Sequence, residues 1–302
     1  MSNRLAHKGI VVGVDGSSSS MLAVRWAAHE AGMRNVPLSL IHVIDTPPSG
    51  LLALGGAVLP PRTETEDWQK TEGAKIISDA VKVAEDGAQS GAHPKLRTEV
   101  YCTATVPALV DLSKEAQMIV VGSRGQGAIS RVLLGSVSAG LIHHAHCPVA
   151  VIHDEASGAL QQQPSQRPVV VGIDGSPASE LATEIAFDEA SRRGVDLIAL
   201  HAWRDKGMSY TPTIQWSGQR AAGEEALSER LAGWLERYPD VVVHARVVFD
   251  RPAEHLLDEA ESSQLVVVGS HGRGGFAGML LGSVSTTVAQ AADVPVIVAR
   301  QH

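Results

Sequence analysis

Short runs of β-branched and aliphatic residues punctuate the chain. The first five are IVVGV at 10–14, LSLIHV at 38–43, LRTEVYC at 96–102, MIVVG at 118–122 and PVAVI at 148–152. Their apolar positions are continuous rather than alternating, the pattern of strands buried on both faces. The stretches between them carry helical period. SSSSMLAVRWAAHEAGMRN at 17–35 opens on a run of N-cap residues. EDWQKTEGAKIISDAVKVAEDGAQSG at 66–91 and VPALVDLSKEAQ at 106–117 follow, the latter with Pro near its first turn. SVSAGLIHHAHC at 136–147 is the fourth. Alternation of strand and helix predicts a parallel sheet with helices on both faces.

The pattern then starts again. IVVGVDGS at 10–17 returns as VVVGIDGS at 169–176, 159 residues on. LIHVI at 40–44 returns as LHAW at 200–203, which sets His42 on His201. VVGSRGQGAISRVLLGSVS at 120–138 returns as VVGSHGRGGFAGMLLGSVS at 267–285, 147 residues on. A repeat of this kind predicts two copies of one unit. The second is shorter by about a dozen residues. The difference falls where the first copy carries DTPPSGLLALGGAVLPPRT at 45–63, a long Gly- and Pro-rich loop. DEASGALQQQPSQR at 154–167 is polar and without apolar period, and reads as a linker. The chain is therefore expected to be α/β, with two tandem doubly wound five-stranded parallel-sheet domains at 8–153 and 168–300.

Composition narrows the partners. The 302 residues suffice for two cores, and 44% hydrophobic with 19% charged residues is a globular balance. A net charge of −8 and a pI near 5.9 argue against nucleic acid and against an anionic membrane surface. No run of about 18 apolar residues occurs, so no membrane span is expected. MSNRLAHKGIVVGVDGS at the start shows no leader-like apolar region. Cys102 and Cys147 are too few for a disulfide framework and fit half-buried thiols in a reducing compartment. The expected location is cytoplasmic.

In a doubly wound sheet, ligands sit beyond the carboxyl ends of the strands, where strand order reverses. Asp15-Gly16-Ser17, Val43 and the residues from Gly122 onward fall there. Gly122, Gly125 and Gly127 would let backbone N–H groups form an anion-binding concavity. Gly135-Ser136 then opens a helix whose free N–H groups favour phosphate, with Ser136 and Ser138 adding hydroxyls. The same spelling fits a tight βα turn with Ser136 as N-cap. The glycine spacing is kept in both copies while the residues between vary, which favours phosphate. Gly122→Ala or Gly125→Ala is then expected to weaken binding with little loss of fold. There is no Gly-Lys pair, so no Walker loop, and GVDGSS lacks the dinucleotide fingerprint. GRGGFA at 272–277 is a weak match that follows the fourth strand.

Gly122, Gly125 and Gly135-Ser136, repeated as Gly269, Gly272 and Gly282-Ser283, resemble the universal stress protein family in its tandem-domain form. The resemblance covers nearly the whole chain. It implies a five-stranded α/β fold of the adenine nucleotide alpha-hydrolase-like kind and, for members with this motif, ATP binding. In such members the loop holds phosphates and ribose, the acid after the first strand lies beside them, and the end of the second strand meets adenine through its backbone. Carried over, the first site comprises Gly13, Asp15, Val43, Gly122, Ser123, Arg124, Gly125, Gln126, Gly127, Gly135, Ser136, Val137 and Ser138. The second comprises Gly172, Asp174, Ala202, Gly269, Ser270, His271, Gly272, Arg273, Gly274, Gly282, Ser283, Val284 and Ser285. Gly13 and Gly172 would allow close approach of the nucleotide.

The copies differ in charge. Arg124 becomes His271, Gln126 becomes Arg273 and Arg131 becomes Gly278. Few cations face a polyphosphate, and Asp15 and Asp174 add negative charge. A Mg²⁺ bridging each acid to the phosphates would balance it. Asp15 also fits an Asx turn that caps the next helix. The first reading is a nucleotide-binding regulator with two ATP sites and little or no turnover; the resemblance implies its role in stress or growth arrest, and a homodimer of whole chains is a further expectation. A slow ATPase or nucleotidyl/phosphoryl transferase is the rival, though the loops are poor in the cations and positioning groups that fast transfer needs. A third reading is an interaction module whose loops bind nothing.

HHAHC at 143–147 is spelled like a metal cluster, but its counterpart in the second copy is QAADV. Histidines near a helix C-terminus suit its dipole. His42 and His201, alike in both copies, read as packed histidines with one hydrogen-bonded nitrogen.

Overall fold

The computed structural model describes residues 8–45, 62–87, 93–125, 134–154, 166–203, 216–272 and 281–300. Nearly all of the 45–63 insertion and of the linker lies outside the described residues, as do Gln126, Gly127, Arg131, Arg273, Gly274 and Gly278. The chain divides into two units, Met1–Asp154 and Glu155–His302.

In the first unit, β1 (Ile10–Gly13), α1 (Ser18–Arg34), β2 (Leu38–Ile44), α2 (Arg62–Gly87) and β3 (Leu96–Cys102) come first. They are followed by α3 (Thr105–Leu112), β4 (Met118–Gly122), α4 (Ser136–His144) and β5 (Val149–Ile152). All strand pairs are parallel, in the order β3-β2-β1-β4-β5. α1 packs on α2 and α3 on α4, the helical layers of a doubly wound sheet.

Local chemistry sets the helix ends. Ser17 caps α1, its hydroxyl accepting the Ser20 N–H at 3.2 Å. Such a cap contributes about 1 kcal/mol. α3 stops earlier than its apolar period predicts. Ser113 closes it, donating to the Val110 carbonyl at 2.6 Å and accepting the His146 N–H at 2.8 Å. α2 begins at Arg62, four residues before the predicted start.

β1, β4 and β5 are buried, save the half-buried Gly13 and Gly122 that end the first two, as their continuous apolar runs predict. β3 departs from expectation. It pairs with β2, lies at an end of the strand order, and its residues alternate between half-buried and exposed, with Val100 at 46% exposure. The charged positions of LRTEVYC carry that information: Lys8 and Tyr101 both donate to Glu99 and hold its carboxyl below the usual range.

The second unit repeats the plan. It runs β6 (Val169–Gly172), α5 (Pro177–Arg193), β7 (Leu197–Trp203), α6 (Trp216–Arg237) and β8 (Val243–Phe249). It continues with α7 (Pro252–Ala260), β9 (Leu265–Gly269), α8 (Ser283–Ala291) and β10 (Val296–Ala299). The order is β8-β7-β6-β9-β10, again parallel. In each unit the strand order therefore reverses at one place, between β1 and β4 and between β6 and β9. The carboxyl ends of those pairs are where a crevice forms.

Candidate functional site

Asp15 lies two residues beyond β1. Its Oδ1 accepts the Ser17 N–H at 3.0 Å and the Ser17 hydroxyl at 2.6 Å, so the Asx turn is present. The other oxygen faces the loop after β4: a Cβ on Gly125 would fall 2.6 Å from Oδ2. The chain thus brings the acid after β1 against the second loop glycine, where a larger residue would displace the carboxylate.

The loop is closed at its base. The Ser123 carbonyl accepts the Gly135 N–H at 2.8 Å and the Ser138 hydroxyl at 3.0 Å. The Arg124 carbonyl accepts the Ser19 hydroxyl at 2.5 Å, tying the loop to α1. Ser138 is turned inward as a brace, while Ser136 is exposed. The N-cap of α4 is Gly135, one residue before the serine that the sequence offers for the role, and no side chain caps the helix. The first-turn N–H groups, those of Ser136 and Val137 among them, are left to other acceptors.

The loop glycines divide by role. A Cβ on Gly122 would fall 2.6 Å from the Ser19 hydroxyl and 2.8 Å from its carbonyl carbon. Gly122 lets α1 lie against the end of β4, so Gly122→Ala is expected to disturb the fold rather than to spare it. Gly13 leaves room for the Leu109 and Val121 side chains, each 3.3 Å from where its Cβ would stand, so its open side faces α3. Gly172 likewise faces Leu256 of α7, at 3.1 Å.

The second unit builds the same site from partly different atoms. Asp174 Oδ1 accepts the Ser176 N–H at 2.9 Å, and a Cβ on Gly272 would fall 2.3 Å from Oδ2. The Gly282 N–H donates to the Ser270 carbonyl at 2.8 Å, and Ser285 donates to the Gly269 carbonyl at 2.5 Å. α8 has Gly282 as N-cap and no side-chain cap, with Ser283 exposed and Val284 half-buried in its first turn. The carbonyl of His271 is tethered by Ser176, at 3.1 Å. Gly269 is packed by the Ala178 and Ser179 backbone, with three atoms within 2.9 Å of a Cβ position.

Val43 and Ala202 are each the last residue but one of their strand, half-buried. His42 and His201 sit one residue before them and are buried. Their Nδ1 atoms lie 2.8 Å from the Val14 carbonyl and 2.6 Å from the Ile173 carbonyl. A carbonyl only accepts, so Nδ1 carries the proton in both. Each histidine is a strut that fixes the residue before the acid.

Arg124 pairs with Asp154 at 3.2 Å, and Asp154 also accepts the Ser18 hydroxyl at 3.2 Å. The cation that the sequence assigns to the first loop is thus partly neutralised within its own unit. Ser19, Ser176 and Asp154 bind the loop residues Arg124 and His271, contacts that the motif does not announce. The break in the serine run, Ser19 against Ala178 at the repeat offset, is the visible signal for the first two. Among the described residues no three His, Cys, Asp or Glu side chains group as a metal site, and no helix is long and apolar enough to cross a membrane. Cys102 is exposed, Cys147 buried with its thiol pushed up to about 12 by burial, and both are free.

The sequence signature of the Universal stress protein family matches residues 7–153 and again 166–300. The chain belongs to the universal stress protein family. It is 51% identical over 301 residues to Universal stress protein Rv2623 of Mycobacterium tuberculosis (strain ATCC 25618 / H37Rv), covering 100% of this chain and 99% of that protein. It is equally 51% identical over 304 residues to Universal stress protein Mb2028c of Mycobacterium bovis (strain ATCC BAA-935 / AF2122/97), with 100% of both covered. The crystal structure of a universal stress protein from Archaeoglobus fulgidus DSM 4304 superposes with a TM-score of 0.72 over 98% of this chain and 99% of that one, at 20% identity. That likeness is one of fold.

Proposed function

We propose that this universal stress protein is an ATP-binding regulator with one nucleotide site in each unit and little or no turnover. One observation carries the reading. In both units a helix with a glycine N-cap and no capping side chain starts at the carboxyl ends of the central strands, beside an aspartate and a loop pinned at its base. Unclosed helix N–H groups favour a phosphate. Gly125 and Gly272 keep the backbone bare where it meets the aspartates.

The donor set fits Mg²⁺ as well. Oδ1 of Asp15 and of Asp174 holds a turn, and Oδ2 is the hard oxygen turned toward the loop. Such a carboxylate, with phosphate oxygens, is what Mg²⁺ takes. When bound, the metal would neutralise the charge that Asp15 and Asp174 place beside a polyphosphate. The backbone of Val43 and Ala202 would meet the adenine, and the buried His42 and His201 would hold the strand-end geometry. Differential affinity of ATP for two arrangements or oligomeric states, a homodimer included, would make the protein report nucleotide.

The test has two parts. Calorimetry with ATP and Mg²⁺ should give two sites per chain, both lost in Gly125→Ala with Gly272→Ala while the far-UV circular dichroism is unchanged. Absence of binding in the unmodified protein would leave the interaction-module reading. Single-turnover hydrolysis with excess protein should be far slower than the 1–100 per second, roughly, of a working kinase. Conversion at such rates, lost in Asp15→Ala with Asp174→Ala, would make the protein an enzyme.

A further inference from the structure

The second helices of the two units share a register. The Cβ position of Gly73 of α2 lies 2.9 Å from His42 Cδ2, and that of Gly223 of α6 lies 2.8 Å from Val247 of β8 and 4.0 Å from His201 Cδ2. On that register Arg230 of α6 corresponds to Ala80 of α2. Ala80 is fully buried. Arg230 instead sends its guanidinium across to the turn after β6. A Cβ on Gly175 would fall 1.6 Å from Nη1 and 2.0 Å from Cζ, so the guanidinium lies on the bare α-carbon of the residue next to Asp174. Gly175 has φ +74°, a conformation that favours glycine, and the missing side chain leaves room for the guanidinium.

The guanidinium is incompletely satisfied there. Nη1 donates to Glu180 at 3.3 Å, a long bond to a carboxylate that is 46% exposed. Nε is buried with no hydrogen-bond partner. A buried donor without an acceptor is costly, and a cation held loosely by an exposed carboxylate can exchange it for a better anion. Arginine also presents a planar fork suited to phosphate oxygens.

We infer that Arg230 is a specificity-determining residue of the second site, an extra cation for the phosphate-bearing ligand that the first site lacks because Ala80 stands in its place. The inference rests on the nucleotide reading above. It makes the two sites unequal: the second binds polyphosphate more tightly, and its affinity falls more steeply with salt.

Calorimetry with ATP and Mg²⁺ on single-site backgrounds tests this. With the first site closed by Gly125→Ala, Arg230→Ala should weaken binding on the order of tenfold. Glu180→Gln should tighten it several-fold, because the carboxylate that competes for the guanidinium is gone. With the second site closed by Gly272→Ala, neither substitution should change affinity. A merely structural role for Arg230 predicts lower melting temperatures in both variants and no opposite movement of affinity. Unchanged second-site affinity in Arg230→Ala, or weakening by Glu180→Gln, overturns the inference while leaving the nucleotide sites standing. No ATP binding by the unmodified chain overturns the nucleotide reading and this inference with it.

Discussion

The first unit ties its glycine loop to the neighbouring helix through Ser19, the second through Ser176. The tethered atom is equivalent, the carbonyl of Arg124 or of His271. The serines are not equivalent: Ser176 matches Ser17, and Ser19 matches Ala178. In the first unit cap and tether are separate side chains, since Ser17 caps α1 while Ser19 holds the loop. In the second, Ser176 does both, accepting the Ser179 N–H at 3.2 Å and donating to His271. The contrast separates what the family scaffold requires from what it tolerates. Loop position is reproduced, and the atoms that achieve it are exchanged. Charge is not reproduced: Arg124 is paired with Asp154, and its counterpart His271 is exposed and hydrogen-bonded to Ser270 at 2.9 Å.

The largest effect should come from the feature that both units share without variation. Gly122→Ala and Gly269→Ala each drive a methyl into helix backbone, and overpacking of this kind costs about 1–3 kcal/mol. Gly269→Ala should be the worse, since three backbone atoms crowd its Cβ position within 2.9 Å. Thermal denaturation should show the loss as a lowered transition, about 2–4 °C per kcal/mol for a unit of this size. An unshifted transition in both variants would break the claim that these glycines serve packing.

A smaller effect should expose the exchange of serines. Ser176→Ala removes cap and tether together and should destabilise its unit by about 2 kcal/mol, whereas Ser19→Ala removes the tether alone, about 1 kcal/mol. Ser17→Ala should resemble Ser19→Ala in size but leave the loop held. Urea titration of the three variants checks the ranking, and equal losses for Ser176→Ala and Ser19→Ala would contradict it.

Asp154→Asn should move stability least, under about 1 kcal/mol for a partly exposed pair. Its consequence belongs to binding. Arg124 is released toward the first loop, so ATP affinity should rise in the first site and stay constant in the second, read by calorimetry on the same single-site backgrounds. A fall in first-site affinity would mean that Asp154 positions Arg124 rather than withholding it.

Most of the fold is legible because the repeat states it twice and because the central strands are apolar without interruption. β3 is the exception, since LRTEVYC has the β-branched content of a buried strand while its alternating exposure depends on lying at an end of the order. The end of α3 is hidden from the periodicity because Ser113 closes the helix through His146, 33 residues away. In the site, the meeting of Asp15 with Gly125 follows from topology. The roles of Gly13 and Gly122 do not, because a glycine's purpose is set by which neighbour occupies the missing side chain's space. Arg230 leaves no trace in the motif, since its reach to Gly175 crosses from one helix to another strand's turn.

The bond from Gly135 N–H to the Ser123 carbonyl, and its twin from Gly282 to Ser270, make each loop a closed ring anchored at a fixed gate. For a ring of this size the closure entropy changes only with the logarithm of its length. Three extra residues would cost about 0.2 kcal/mol. The closing bond therefore sets little limit on loop length, whereas Gly125 and Gly272 inside the ring are held against Asp15 and Asp174. The two rings keep their length and their terminal Gly-Ser, and differ at Arg124, Gln126, Ala128, Ile129, Ser130, Arg131 and Val132. Closure fixes where each loop begins and ends and leaves its composition to other contacts.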